Sequence, residues 1–188
     1  MAAAAFIGGN PENGDFNQYW YSTYTINQMV EDCVNLGGKI AFLSTPSVYF
    51  ALPEDVRAKA YCFDYDKKWE LDRGFVFYDF NDIDTIPKEM YGSFDLLVVD
   101  PPFIVQNVWE KYAEAVKILA KPGISENGQP LGKVILTTVI ENADLLNKLL
   151  GASPSAFQPS IPNLVYQYNL FTNYPSTVFC KKNPEIPE

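Results

Sequence analysis

The 188-residue chain is 47% hydrophobic, rich in aromatic residues and has a formal net charge of −9, which suits one soluble domain with a sizeable core. It contains no histidine, which excludes a Ser-His-Asp triad, a Cys-His pair and any histidine-ligated metal. The excess of carboxylates disfavours non-specific binding to nucleic acid and is compatible with a basic protein partner.

The cysteines and the N-terminus give few functional clues. Cys33, Cys62 and Cys180 are widely spaced, which predicts three reduced thiols and no zinc site. Met1 to Gly9 lacks a basic region, and its apolar run is too short for a signal peptide or a membrane span. We therefore expect a monomeric cytoplasmic protein with no membrane segment, beginning with a flexible N-terminus over residues 1–15.

The first half of the chain alternates helical and strand patterns. Apolar residues at helical spacing between Ile26 and Val34 predict a helix that Ser22 or Thr23 caps and Gly37 ends. A short helix is expected from Pro46 to Leu52, since proline suits a first turn. Short apolar runs predict four strands, at Lys39–Leu43, Ala60–Asp64, Phe75–Asp79 and Phe94–Asp100.

The second half continues this alternation. The predicted elements are a helix over Val105–Ala120, a strand over Lys133–Thr138, a helix over Glu141–Leu150 and two strands over Leu164–Thr172 and Ser176–Cys180. The last two strands flank Asn173-Tyr174-Pro175 and are expected to pair antiparallel. Alternating strands and helices predict a parallel sheet with helices on both faces. A closing antiparallel hairpin on such a sheet resembles the arrangement of the seven-stranded Rossmann-like class I methyltransferases. We therefore expect an α/β fold of this kind over residues 16–182, followed by a tail over residues 183–188.

Polar residues follow each predicted strand, where open α/β sheets bind ligands. Asp64, Tyr65 and Asp66 follow the second strand. Asp64 stands about 20 residues past the first strand-to-helix turn, where a carboxylate accepts hydrogen bonds from ribose hydroxyls. Asp66 is the rival for this role, and both could instead be solvated turn residues.

The turn after the third strand contains Asp79, Phe80 and Asn81. A carboxylate or amide in this position could meet an adenine edge, although Asp and Asn also favour turns for local reasons. No GxGxxG pattern follows the first strand, which argues against NAD, FAD and nucleoside triphosphates. The segment Ser44-Thr45-Pro46-Ser47 stands there instead and could bind the carboxylate of S-adenosylmethionine, which has no phosphate.

Asp100-Pro101-Pro102-Phe103 is the most informative segment. The prolines fix the backbone and lack N–H groups, which leaves carbonyls available. Together with the Asp100 carboxylate they could accept both hydrogens of an amine and direct its lone pair at an electrophilic methyl group. Phe103 could stack on a planar base or on a lysine stem. An isolated DPP could also be a stiff loop with a capping aspartate, but its position after the fourth strand favours catalysis.

Several segments carry a family resemblance. In order, the chain contains FNQYWYS, FLSTPSVYFAL, FDYDKKWE, FVFYDFN and FDLLVVDPPF, which resemble the eukaryotic elongation factor 1-alpha lysine methyltransferase 1 family from Phe16 to Cys180. That family was earlier described as N6-adenine DNA methyltransferases because of its DPP(F/Y) motif. DPPF is shared with many amino-methyltransferases, whereas QYWYS combined with STPSVY is more specific. Pro154 to Leu164 matches no useful motif.

The resemblance implies S-adenosylmethionine as the donor and a lysine of elongation factor 1-alpha as the acceptor. It implies that Asp64 holds the ribose, that residues 79–81 surround the adenine and that residues 100–103 present the amine. Trp20 and Tyr21 could form an aromatic slot for the lysine stem, or could pack beneath the first helix. Two other readings stay open, an N6-adenine methyltransferase on DNA or RNA and a non-catalytic subunit. The acidic charge disfavours the first of these, and the intact Asp64 and Asp100 disfavour the second.

Overall fold

A computed structural model describes residues 1–187. Its strands are β1 (Ile40–Leu43), β2 (Ala60–Asp64), β3 (Phe75–Phe77), β4 (Leu96–Val99), β5 (Lys133–Thr138), β6 (Ser153–Pro154) and β7 (Asn169–Thr172). They form one sheet in the order β3-β2-β1-β4-β5-β7-β6. The first five strands of the chain, β1 to β5, run parallel to one another, whereas β7 pairs antiparallel with β5 and with β6.

Helices cover both faces of the sheet, as the alternating pattern predicts. They are α1 (Ala2–Gly9), α2 (Thr23–Leu36), α3 (Pro46–Tyr49), α4 (Glu54–Arg57), α5 (Gln106–Leu119) and α6 (Ala143–Leu150). One core cluster joins α2 and α3 to the sheet face that presents Ile40 and Phe42. A second joins α5 and α6 to the opposite face, which presents Ala41 and Leu43. The apolar residues of β1 are buried on both faces, as a central parallel strand requires.

The predicted fold class is confirmed, with local differences in the elements. Ser22 rather than Thr23 caps α2, because its hydroxyl accepts the N–H of Thr25 at 3.1 Å. Helix α3 ends at Tyr49, three residues earlier than expected, and α4 was not predicted.

The predicted strand at Ser176–Cys180, and with it the hairpin around Asn173-Tyr174-Pro175, is wrong. The Ser176 hydroxyl accepts the backbone N–H groups of Val178 and Phe179, both at 3.1 Å, which folds this segment into a turn. The antiparallel edge is built instead from the shorter β7 and from β6, which lies before it in the chain.

The N-terminal residues, predicted to be flexible, contain helix α1 and a 3-10 turn at Gly14–Phe16. Phe6 of α1 is 6% exposed and packs against Trp20, Phe50 and Trp69, with ring centroids 5.1, 5.8 and 5.6 Å away. These aromatic contacts provide the burial that holds the short helix on the domain, since helices of this length are not stable alone.

The C-terminal residues also pack on the domain. Asn183 is 3% exposed and its side-chain amide donates to the Gln158 carbonyl at 2.8 Å. Within residues 1–187 the longest helices have 14 residues, and none has the length and hydropathy that a transmembrane helix needs.

Candidate active site

A cavity of about 400 Å³ opens at the carboxyl ends of β1, β2 and β4, where parallel sheets bind ligands. Residues that follow these strands form one wall, and residues from the N-terminal segment form another. The lining comprises Asp15, Phe16, Asn17, Gln18, Tyr19, Trp20, Ser44, Pro46, Asp64, Tyr65, Asp66, Tyr78, Asp79, Phe80, Asn81, Asp100, Pro101, Pro102, Phe103, Tyr112, Ile161, Leu164 and Tyr168.

Most residues predicted from the sequence line this cavity, but three do not. Tyr21 is 2% exposed and lies behind the wall. Thr45 is 1% exposed and donates its hydroxyl to the Val98 carbonyl at 3.1 Å, which ties β1 to β4. Ser47 is also buried and lies outside the lining. Of the Ser44–Ser47 segment, only Ser44 and Pro46 border the cavity.

Ser44 at the end of β1 has an unusual backbone conformation. Its φ of 58° lies in the left-handed region, which costs a non-glycine residue about 1 kcal/mol or more. Its N–H donates to the Phe63 carbonyl at 2.8 Å, and its hydroxyl pairs with that of Tyr112 at 2.7 Å. Tyr112 belongs to α5, so this pair joins the sheet to a helix at the base of the cavity.

Asp64 and Asp66 occupy adjacent places in the turn after β2. Asp64 accepts the N–H of Asp66 at 2.8 Å, whereas Asp66 caps a 3-10 turn by accepting the N–H of Lys68 at 3.0 Å. Burial raises the pKa of Asp64 to about 7, and the nearby Asp66 carboxylate adds to this rise, while backbone N–H groups oppose it. Asp66 also forms an ion pair with the Lys68 ammonium at 3.5 Å, so both of its oxygens are engaged.

The turn after β3 is held by local hydrogen bonds. Asp79 accepts the N–H of Asn81 at 2.8 Å, and the Asn81 side-chain oxygen accepts from the Lys111 ammonium at 2.6 Å. Phe80 packs beside Tyr112, with ring centroids 5.8 Å apart. Phe103 is 49% exposed and meets Phe80 edge-on at 6.5 Å. The two phenylalanines give the cavity an apolar surface beside Asp79.

Asp100 borders the cavity on one side, and its other sides are covered by protein atoms. Burial raises the pKa of its carboxyl to about 7, and hydrogen bonds from the Tyr21 and Thr137 hydroxyls oppose that rise. Burial and the charge of Asp100 hold the pKa of Tyr21 well above its usual value, so this hydroxyl stays protonated. Tyr21 is therefore buried behind the cavity wall and does not form the predicted aromatic slot.

Trp20 borders the cavity but is firmly packed. Its indole N–H donates to the Asn10 carbonyl at 2.7 Å, and its ring contacts Phe6 and is 5% exposed. Its backbone N–H donates to the Glu12 carboxylate at 2.8 Å. The residue therefore packs the N-terminal segment against the cavity wall.

A family model described as probable N6-adenine methyltransferase matches residues 12–176, which is most of the chain. The bovine (Bos taurus) EEF1A lysine methyltransferase 1 is 33% identical over 96% of this chain and 79% of its own length. The human (Homo sapiens) protein of that name is 33% identical over 93% of this chain and 80% of its own length. The chain belongs to the family that this model and these EEF1A lysine methyltransferase 1 relatives define. It is an N-methyltransferase.

The fold of this family member is also found among solved structures. A branched-chain polyamine synthase mutein from Thermus thermophilus, in complex with N4-aminopropylspermidine and 5′-methylthioadenosine, superposes with a TM-score of 0.60. The match covers 91% of this chain and 62% of that protein at 13% identity. At this identity the likeness shows a shared fold alone.

The family membership implies a methyl donor, and the cavity fits one. The Tyr78 hydroxyl is buried, borders the cavity and has no hydrogen-bond partner within residues 1–187. A buried hydroxyl without a partner is costly, and a bound molecule with polar groups can supply that partner. The cavity is also large enough for a nucleoside-sized molecule.

Several lining residues were not identified from the sequence. Tyr112 belongs to an apolar helical stripe that reads as core, and only its hydroxyl contact with Ser44 places it at the cavity. Asn17 and its neighbours come from a segment predicted to begin the domain without a named role. Tyr168 precedes β7 and borders the cavity beside Ile161 and Leu164, in a stretch where the sequence has no motif.

Proposed function

We propose that the chain is a protein-lysine N-methyltransferase that uses S-adenosylmethionine and modifies a lysine of elongation factor 1-alpha. The names of the bovine and human relatives support a lysine acceptor on this factor. Relatives from Caenorhabditis elegans and Saccharomyces cerevisiae, described as protein-lysine N-methyltransferases, support the broader class.

The charge of the cavity wall carries the proposal. Five aspartates line it, at positions 15, 64, 66, 79 and 100, and none of the described lining residues is Lys or Arg. Such a wall attracts a sulfonium donor and a lysine side chain and repels a phosphate backbone. An enzyme that acts on nucleic acid needs Lys and Arg that contact the phosphates beside the acceptor base.

Asp64 is the better candidate for the ribose of the donor. It is 7% exposed, it lies in the cavity wall at the end of β2, and Asp66 is already engaged as a cap. The apolar side formed by Phe80, with Asp79 and Asn81 beside it, suits the adenine. The solved structure of the same fold contains 5′-methylthioadenosine, which shares adenine, ribose and sulfur with the proposed donor.

The chain's own residues orient the acceptor. When bound, S-adenosylmethionine supplies an electrophilic methyl group on a sulfonium. The Asp100 carboxylate and the proline carbonyls that follow it accept hydrogen bonds from the lysine nitrogen and direct its lone pair inward. A lysine must first lose a proton, and its usual pKa is about 10.4. Burial beside Phe103 lowers that pKa, and Asp100 is placed to accept the proton.

Methyl transfer from labelled S-adenosylmethionine tests this proposal. Elongation factor 1-alpha, a copy with all surface lysines blocked by acetylation, and adenine-containing DNA and RNA are offered separately. We expect label on the unblocked protein only, and a loss of at least about 100-fold in the Asp100→Ala variant. Label on the blocked protein, or on none of the acceptors, contradicts the proposed acceptor.

A second candidate, an N6-adenine methyltransferase, is favoured by the description of the matching family model. The DPPF segment suits an adenine amine as well, but such a base must be flipped out of a duplex into the cavity. The same experiment decides between the two. Label on DNA or RNA that exceeds label on the protein would overturn the lysine proposal.

A further inference from the structure

Two buried hydroxyls lie behind the Asp100 carboxyl. The Tyr21 hydroxyl and the Thr137 hydroxyl are 2.6 Å apart. Tyr21 precedes the cap of α2, and Thr137 lies near the end of β5. Val99 of β4 pairs with Leu136 of β5, so the residues that follow them, Asp100 and Thr137, lie side by side at the carboxyl ends of neighbouring strands.

The two hydroxyls can form a chain that ends on the carboxylate. Each has one hydrogen, so one hydroxyl donates to Asp100 and the other donates to the first hydroxyl. Both side chains are almost fully buried, at 2% and 1% exposure, so water does not compete for these hydrogen bonds. A carboxylate held in this way has one preferred orientation toward the cavity.

We infer that Tyr21 and Thr137 are positioning residues, whose hydroxyls hold the Asp100 carboxylate in its ionised form and in the orientation that receives the acceptor amine. This inference rests on the proposed function of Asp100 as the amine-binding carboxylate. It assigns a role to the second tyrosine of the QYWYS segment and to a threonine of β5 that had no role from the sequence.

The other groups that face Asp100 support this assignment. Tyr112 of α5 and Tyr168 before β7 both have pKa values raised by burial and, to a smaller extent, by the charge of Asp100, and both border the cavity. No cation contributes to the pKa of Asp100. The hydroxyl pair, in which one member donates to the carboxylate and the other donates to the first, is therefore the contribution that favours the ionised carboxyl against burial.

The first readout does not depend on any acceptor. The chain is labelled with carboxyl-¹³C aspartate, the Asp100 signal is assigned with Asp100→Asn, and its titration is followed by NMR. Removing a hydrogen bond to the ionised form raises the pKa. We expect Tyr21→Phe and Thr137→Val each to raise the midpoint of Asp100 by about half a unit to one unit. Thr137→Ser, which keeps the hydroxyl, should restore it.

Tyr49→Phe is the matched control. Tyr49 is also fully buried, and its hydroxyl donates to a different aspartate, Asp72, at 2.5 Å, outside the cavity. We expect this variant to leave the Asp100 titration unchanged. If Tyr21→Phe and Thr137→Val leave it equally unchanged, or if Tyr49→Phe moves it as much, the inference is overturned.

A kinetic readout follows with the acceptor that the wild-type chain methylates. Tyr21→Phe should lower kcat about tenfold, leave the KM of the donor within about twofold, and move the rising limb of the pH profile to higher pH. In the Asp100→Asn background, Tyr21→Phe should cause no further loss of kcat. An equal loss in that background overturns the inference. Absence of activity in the wild-type chain contradicts the proposed acceptor instead, and the NMR titration still decides the inference.

Discussion

The side-chain amide of Asn17 donates a hydrogen bond to the backbone carbonyl of Pro102. Asn17 follows the 3-10 turn at Gly14–Phe16 with a φ of 51°, a left-handed conformation that asparagine adopts more readily than most residues. A carbonyl oxygen has two acceptor positions, so this hydrogen bond leaves one for a substrate amine. The N-terminal segment thus holds the DPPF loop while the loop remains able to bind.

Replacing Asn17 should therefore impair catalysis more than donor binding. Asn17→Ala removes one hydrogen bond to the loop, which corresponds to about a fivefold to tenfold loss of kcat. We expect the Kd of S-adenosylmethionine, measured by calorimetry, to change by less than about threefold. Gln28→Ala removes an amide on α2 that bonds only to the exposed Glu31, and serves as the control. Equal effects of the two substitutions on kcat would contradict the role of Asn17.

The hydroxyl pair of Ser44 and Tyr112 gives a second expectation. Tyr112→Phe leaves the ring in place beside Phe80 but removes the partner of Ser44 at the base of the cavity. Loss of one such hydrogen bond is worth about 1 kcal/mol, so donor binding should weaken about fivefold. Tyr61→Phe, a strand tyrosine outside the cavity lining, is the control. Calorimetric titration with S-adenosylmethionine measures the affinity of both variants. Unaltered affinity in Tyr112→Phe would argue against a role of the Ser44–Tyr112 hydrogen bond in donor binding.

The buried carboxyls of Asp64 and Asp100 should make the protein less stable as the pH rises. In the folded chain each has a pKa of about 7, above the usual 3.8. The folded state therefore binds more protons than the unfolded state between about pH 4 and pH 7, and the free energy of unfolding falls across this range. Each pKa unit corresponds to about 1.4 kcal/mol, so the fall is on the order of 4 kcal/mol for each of the two carboxyls.

Asparagine variants test this expectation by urea unfolding at about pH 5 and pH 8. Asp64→Asn and Asp100→Asn should each reduce the difference in the free energy of unfolding between pH 5 and pH 8. Each should also stabilise the chain at pH 8. Asp95→Asn is the control with the opposite sign. Hydrogen bonds from Lys121 and from the Lys39 N–H lower the pKa of Asp95, so its removal should destabilise the chain at both pH values. A wild-type stability that rises from pH 5 to pH 8 would refute the assignment.

The central position of β1 and β4 was predictable because their sequences are almost wholly apolar. FDLLVVD and KIAFL can only be buried on both faces, and strands of that kind belong to the middle of a parallel sheet. The site followed from the parallel direction of the strands, since Asp64, Asp79 and Asp100 lie at or just after the carboxyl ends of β2, β3 and β4. That these three aspartates share one cavity could be predicted from strand direction alone.

The edges of the fold were not predictable in the same way. Strand β6 has two residues, one of them a proline, and shows no alternation. The apolar residues Val178 and Phe179 have the sequence pattern of a strand. The Ser176 hydroxyl accepts hydrogen bonds from their N–H groups, so the segment forms a turn instead. The contribution of Asn17 and Tyr168 to the cavity depends on contacts between distant parts of the chain, which local patterns do not contain.

Helix α1 provides the last expectation, because its only large buried side chain, Phe6, packs on a wall of the cavity. Phe6 contacts Trp20, and Trp20 borders the cavity. Phe6→Ala leaves a void among these rings and should lower the free energy of unfolding by about 2–3 kcal/mol. It should also weaken donor binding, because Trp20 loses one of the contacts that fix it. Val34→Ala, at an exposed position of α2, should change stability by less than about 0.5 kcal/mol. If Phe6→Ala lowers stability and leaves the Kd of S-adenosylmethionine unaltered, helix α1 supports the fold but not the binding site.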